Sequence, residues 1–290
     1  MASIDQPSLA PERLRPYSAD DLLPLSVEAG WNQVADDWRF MLSRGNGVGI
    51  RHADRWIACA LVLPLGLRVA WISMVLVTAE HRRQGIAAAL LEQCFETVGA
   101  GGRAAGLDAT ELGRPVYLRH GFRDLYRLRR WRLDGPLQHI PDCPRDIHLR
   151  PLRSDDRSRL VAFDRARSGL DRGPILQHLA RRKPELATIA ETRSGALAGY
   201  VLARDGRIAT HVGPVVADRD DIAIALLAAA MRPGVGSHIV DVPDRHERVV
   251  AWLTTNGATA PRAFVRMING DAAGLDDPGR CFALAGPELA

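Results

Sequence analysis

Between Trp71 and Leu91 the chain reads WISMVLVTAEHRRQGIAAALL. Arg82, Arg83, Gln84 and Gly85 stand between an apolar, partly β-branched run (Ile72 to Val77) and an alanine- and leucine-rich stretch that opens with Ile86, Ala87 and Ala88. Strand, basic glycine-containing turn, helix start: this order sets the uncommitted N–H groups of a helix N-terminus, and its positive field, beside two guanidinium groups. The chemistry is that of phosphate or pyrophosphate binding. Glycine at 85 permits close backbone approach, and Ala87 is small enough to leave it open. A second cluster, Gly30-Trp31-Asn32-Gln33 followed by Asp36 and Trp38, sets an indole beside amides, which suits either a ligand wall or core packing.

The elements that must position these residues follow from periodicity. In the first half we expect a strand near Arg13 to Tyr17, helices over Ala19 to Ala29 and Gln33 to Ser43, and a strand pair over Gly47 to His52 and Arg55 to Leu63. The central strand and helix come next, then a strand at Ala104 to Leu107, a helix from Thr110 to Arg119 and a last strand from Phe122 to Leu133. Leu14-Arg15-Pro16, followed by Ser18, Asp20 and Asp21, returns as Leu149-Arg150-Pro151, followed by Ser154, Asp155 and Asp156. Leu90-Leu91 returns as Leu226-Leu227, and Gly121-Phe122 as Gly257-Ala258, 136 positions later. Landmarks at one offset indicate a duplicated domain. The second half then has strands at Leu186 to Ile189, Gly199 to Ala203 and Ala209 to Val216, and a helix from Ile222 to Met231. A strand at His238 to Val242, a helix from Glu247 to Asn256 and a final strand complete it. Asp134 to Asp146, with three prolines and a glycine, reads as the linker. The expected domains are therefore 1–138 and 139–290, after a loose tail over residues 1 to 12. The fold class is α/β.

Composition sets bounds. A chain of 290 residues suits two domains with their own cores. No apolar window has the length of a membrane helix and no signal-peptide pattern opens the chain, so the expected location is cytoplasmic, with no membrane partner. Four scattered cysteines (Cys59, Cys94, Cys143, Cys281), without C-x-x-C or histidines at ligand spacing, are expected as buried reduced thiols, with no metal. The pI of about 9.2 comes almost wholly from arginine, Lys183 being the single lysine, and acidic residues are interspersed throughout. The Arg-rich segment 123–132 alternates apolar and charged residues as a half-exposed strand does, so nucleic acid is not an expected partner.

Arg82-Arg83-Gln84-Gly85-Ile86-Ala87 fits R-x-x-G-x-A, and Tyr117-Leu118-Arg119-His120-Gly121-Phe122 fits Y-x-x-x-G-F. With the strand before the first and the strand ending in Leu107-Asp108 after it, residues 13–133 resemble the GNAT superfamily of acyl-CoA-dependent N-acyltransferases. The resemblance implies two tandem GNAT folds, each a mixed, mostly antiparallel central sheet flanked by helices, with acetyl-CoA as cosubstrate. It implies that the amides from Arg82 to Ala88 hold the pyrophosphate and that the pantetheine arm runs along the backbone near Val75, Leu76 and Val77. A backbone N–H near Val75 would polarise the thioester carbonyl. Tyr117 would give a proton to the departing thiolate. The segment with Trp31 and Asn32 falls where the family lines its acceptor site. Asp36, Asp37, Asp108, Glu111 and His120 are candidates for a general base on position alone, with His120 also a helix-end residue and Thr110 a helix cap.

The second half departs from this pattern. Its counterpart of the turn, Ala217-Asp218-Arg219-Asp220-Asp221-Ile222, is shorter and acidic, with Asp221 where the glycine belongs, and carboxylates there repel a pyrophosphate. The counterpart of the Y-x-x-x-G-F segment is Trp252-Leu253-Thr254-Thr255-Asn256-Gly257-Ala258, which lacks the tyrosine. This half resembles the degenerate C-terminal domain of a two-domain GNAT subgroup, which implies one coenzyme per chain and a second domain that closes the acceptor pocket. Asp171 and Arg172 are weak candidates for substrate contact by the same resemblance. The expected activity is acetyl transfer from acetyl-CoA to a primary amine, on a small molecule or peptide, by direct attack. A non-catalytic acyl-CoA-binding or regulatory protein and a tandem acyltransferase of the mycothiol synthase type are the alternatives. A homodimer is left open.

Overall fold

The computed structural model describes residues 10–231, 236–271 and 279–290, so most of the expected tail lies outside the described residues. The chain forms two compact units, one ending at Ala105 and one beginning at Gly106.

In the first unit, β1 (Glu12–Arg13) leads through α1 (Ala19–Glu28) and α2 (Ala35–Arg44) to β2 (Asn46–His52), β3 (Arg55–Leu65), β4 (Val69–Val77) and α3 (Ile86–Ala100). The sheet order is β1-β2-β3-β4, all antiparallel. The expected strand from Arg13 to Tyr17 shrinks to two residues. Pro16, which has no N–H for a ladder, instead opens a 3-10 turn over Pro16–Ser18. Nine of the eleven residues of β3 are buried, and α1, α2 and α3 all pack on it. Helix α3 docks through Ile86, Leu90, Leu91, Cys94 and Val98, one face at helical spacing. Each such aliphatic side chain contributes about 1.5–3 kcal/mol by leaving water.

The second unit takes in β5 (Ala104–Thr110), α4 (Arg114–Arg119), β6 (Arg123–Asp134), β7 (Ile147–Pro151), α5 (Arg157–Ser168) and α6 (Gly173–Arg182). It continues through β8 (Thr188–Thr192), β9 (Leu197–Arg204), β10 (Thr210–Ala217), α7 (Asp220–Met231), β11 (Ser237–Pro243), α8 (Glu247–Thr255), β12 (Thr259–Asn269) and β13 (Cys281–Ala283). The ten elements from β1 to β6 recur in the same order from β7 to β12, as the repeat requires.

Strand order breaks the repeat boundary: it runs β5-β12-β6-β11-β10-β9-β8-β7. The last strand of the first repeat, β6, lies between the last two strands of the second, antiparallel to both. This is why the compact units part at Ala105 and not at the proline-rich linker. The exchange is fastened by two matching ion pairs. Arg130 on β6 grips Asp241 on β11 through two bonds of 2.8 Å. Arg266 on β12 grips Asp108 on β5 through two bonds of 2.9 Å. Both aspartates are fully buried. Arg130 and Arg266 stand 136 positions apart on β6 and β12, the last strands of the two repeats, and each pair joins strands of different repeats.

Smaller departures have local causes. Helix α4 starts at Arg114 because β5 runs on to Thr110, whose Oγ1 accepts the Gly113 N–H in the intervening turn. The strand expected at Leu186 to Ile189 is β8, which begins at Thr188 because Lys183 to Ala187 form a hydrogen-bonded turn. Strand β13 and helix α6 were not foreseen. Cys59, Cys94 and Cys281 are buried, whereas Cys143, in the linker, is exposed. No helix among the described residues is long and apolar enough to cross a membrane.

Candidate functional site

Two backbone devices shape the turn expected to bind phosphate. On β4, Met74 and Val75 stand opposite the single residue Ala60 of β3, a bulge that withdraws them from regular pairing. Met74 takes a positive φ of 54°, and its carbonyl accepts a bond from the Cys59 thiol at 3.2 Å. Val75 and Val77 are half-buried and Leu76 is buried, so the strand offers its backbone edge more than its side chains. Beyond Val77, a 3-10 turn over Ala79–His81 leads to Arg82, Arg83, Gln84 and Gly85, all exposed. Arg83 and Gly85 have φ of 62° and 79°.

Gly85 is the N-cap residue of α3, with no side-chain cap on the helix and no acidic residue in its first turn. The N–H groups of Ile86, Ala87 and Ala88 therefore open the helix in an electropositive setting. A Cβ at Gly85 would meet nothing within 4 Å, so positive φ, not crowding within the protein, is what selects glycine there. The donor set fits a diphosphate: uncapped amides, a glycine that keeps the approach open, and two exposed guanidinium groups.

One contributor escaped the sequence reading. Glu28, the last residue of α1, accepts the Ala79 N–H at 2.6 Å and lies 3.8 Å from Arg82 Nη2 through the same oxygen, Oε1. Arg82 also folds back to donate from Nε to the Val77 carbonyl at 3.1 Å. Glu28 sits 51 residues before Ala79, and no spacing rule joins them.

Two family models, each described as an acetyltransferase (GNAT) domain, match the chain over residues 44–124 and 160–283. The chain belongs to the GNAT superfamily. It is 26% identical over 235 residues to an uncharacterized N-acetyltransferase, YitH, of Bacillus subtilis, covering 81% of this chain and 82% of the relative. Its fold is similar to that of a putative acetyltransferase from Pyrococcus horikoshii, with TM-score 0.77 and 17% identity over 96% of this chain and 95% of that one. It is also similar to a tandem GNAT protein from the clavulanic acid biosynthesis pathway, with TM-score 0.64 and 16% identity over 90% and 98% of the two chains. Both repeats are thus GNAT folds.

The second GNAT repeat keeps the bulge but not the turn. On β10, Gly213 and Pro214 stand opposite Leu202 of β9. β10 and β11 pair in parallel only at Thr210 and His211. β13 then pairs with Val215 and Val216 of β10, and the Leu284 N–H reaches the Asp241 carbonyl of β11 at 2.9 Å. The opening between the two parallel strands is filled by the chain itself. A Cβ on Gly213 would fall 2.0 Å from the Leu284 oxygen. The turn after β10 carries Arg219 bound to both Asp146 and Asp221, and Asp221 Oδ1 also accepts the Ile222 N–H at 2.9 Å, the amide a diphosphate would use.

The remaining candidates sort by environment. Tyr117 on α4 is half-buried, its ring edge-on to Phe122 with centroids 5.8 Å apart and against Gly113. Trp31 is half-buried with its backbone N–H on the Ser26 carbonyl, Asn32 is buried, and the buried Gln33 has an Oε1 without a hydrogen-bond partner among the described residues. Trp38 is core, fully buried, with its indole N–H on Ser26 Oγ. Each of the candidate carboxylate bases has a hydrogen-bonding or ionic partner. Asp36 pairs with Arg39 and Asp37 takes the Val34 N–H; Asp108 pairs with Arg266 and Glu111 with Arg127. His120 follows the last residue of α4, where its carbonyl accepts Asn269 Nδ2 at 2.8 Å.

Asp171 and Arg172 part company. Asp171 is exposed at the rim of a shallow groove lined by Val161, Ala162 and Arg165. Arg172 turns inward, 1% exposed, with two bonds to Asp164 and a third to the Ala290 backbone oxygen, which leaves it no face for a substrate. Tyr200 donates to the same Asp164, and burial pushes its phenol well above the ordinary range.

Proposed function

We propose that the chain is an acyl-CoA-dependent N-acetyltransferase that passes an acetyl group from acetyl-CoA to a primary amine by direct attack. The contrast between its two turns carries this reading. The first repeat keeps an uncapped helix start and exposed arginines. In the second, carboxylates take the same place and β13 fills the strand opening. One coenzyme per chain follows, held by Arg82 to Ala88 and by the backbone at Val75 to Val77.

Acetyl-CoA supplies an activated acyl group. The chain's part is to fix the diphosphate on the α3 amides, to present a backbone N–H near Val75 to the carbonyl oxygen, and to return a proton from Tyr117 to the leaving sulfur. In this reading residues 1–138 supply the catalytic repeat, while 139–290 help to form the acceptor pocket, with Trp31, Asn32 and Asp171 as contacts. The acidic second turn disfavours a pair of active centres of the mycothiol synthase type.

Titration of the full chain with coenzyme A, and thiol release with a panel of small-molecule and peptide amines, test the proposal. One site per chain and amine-dependent release are expected. Two equivalent sites, or release indifferent to every amine, would overturn it.

A further inference from the structure

We infer that Glu28 is a resident competitor for Arg82, which the coenzyme's diphosphate must displace, so that this carboxylate sets coenzyme affinity and its salt dependence. The inference rests on the coenzyme site proposed above.

In this turn Arg82 does not point outward as a ready anion receptor. Its Nε is folded back on the Val77 carbonyl, and its Nη2 faces Glu28 Oε1 at 3.8 Å, beyond hydrogen-bond distance. The two side chains are 55% and 41% exposed, so the pair is held loosely and in solvent. Such contacts are weak and screened by salt. A diphosphate offers a planar guanidinium two charge-assisted bonds at shorter range, and so wins the exchange.

Glu28 does not leave with its partner. Oε1 stays fastened to the Ala79 N–H at 2.6 Å, which pins the carboxylate to the turn whether or not Arg82 is engaged. The same negative charge therefore opposes the incoming diphosphate before the exchange and again after it. It also fastens the end of α1, two residues before Gly30-Trp31-Asn32, to the coenzyme turn. The first unit alone contains every group in this argument.

The test is a double-mutant cycle on the full chain, read by calorimetric titration with coenzyme A and with inorganic pyrophosphate at low and high salt. Glu28→Gln keeps an oxygen for the Ala79 N–H and removes only the charge. Coenzyme A should bind E28Q about two- to fivefold more tightly than wild type at low salt, the range a half-exposed charge supplies. The gain should shrink at high salt, appear with pyrophosphate too, and be clearly smaller in the Arg82→Gln background, where only the direct repulsion between carboxylate and diphosphate is left. Equal or weaker binding by E28Q, with wild type still binding coenzyme A, overturns the inference and leaves the proposed function standing. So does an undiminished gain in the R82Q background. A wild type that binds no coenzyme A overturns both.

Discussion

Tyr117 illustrates how little of a residue's role is visible in its packing. Its ring lies against Phe122 and Gly113, as a structural tyrosine's would, yet it is only half-buried. Tyr117→Phe keeps that packing and removes the one acidic proton. The expected outcome is a fall in kcat of about 10²-fold, the usual share of a positioned acid, with the Kd for coenzyme A unchanged. Titration and steady-state kinetics on the same preparation check both halves; an unaltered kcat would reduce Tyr117 to packing. Gly85 is the complementary case at this scale. There the backbone carries the requirement, through a φ of 79° in open space.

At the scale of elements, the exchange of β6 and β12 makes Asp108 and Asp241 places where one substitution strands a buried charge. Asp108→Asn leaves Arg266, 1% exposed, without its counter-ion. It should cost about 3–5 kcal/mol in denaturant unfolding, while Asp108→Asn combined with Arg266→Gln should recover part of that loss. Additive losses would mean that the two side chains do not act as a pair. Legibility in the sequence divides along the same line. Order and type of element were readable throughout the first repeat, because periodicity and turn residues are local signals. The strand, turn and helix start of the proposed coenzyme site were readable because they are contiguous, from Val75 to Ala88. Strand exchange was not readable, since β6 and β12 have the same alternation whichever repeat they join. Glu28 was hidden for a related reason: its link to Ala79 is made by folding and not by spacing. Arg172 was a candidate by resemblance, and no local spacing revealed that its partner is Asp164 on α5, in the core.

Over the whole molecule, burial separates the four thiols. Burial pushes the Cys94 thiol up to about 12 and raises Cys59 further still, and Cys281 is buried too. Cys143 alone is exposed. Since the thiolate is the reactive form, native protein should take up one equivalent of an alkylating reagent at neutral pH, at Cys143. Four equivalents should react in denaturant. Peptide mapping after labelling checks the position, and modification of Cys94 under native conditions would mean that α3 opens readily.

The placement of β6 also fixes an order in time. Residues 123–134 leave the ribosome long before residues 237–243 and 259–269, their neighbours on either side, have been made. At roughly 5–20 residues per second, that strand and its arginines must wait on the order of ten seconds for the partners that complete the sheet. The first repeat is translated first and finished last.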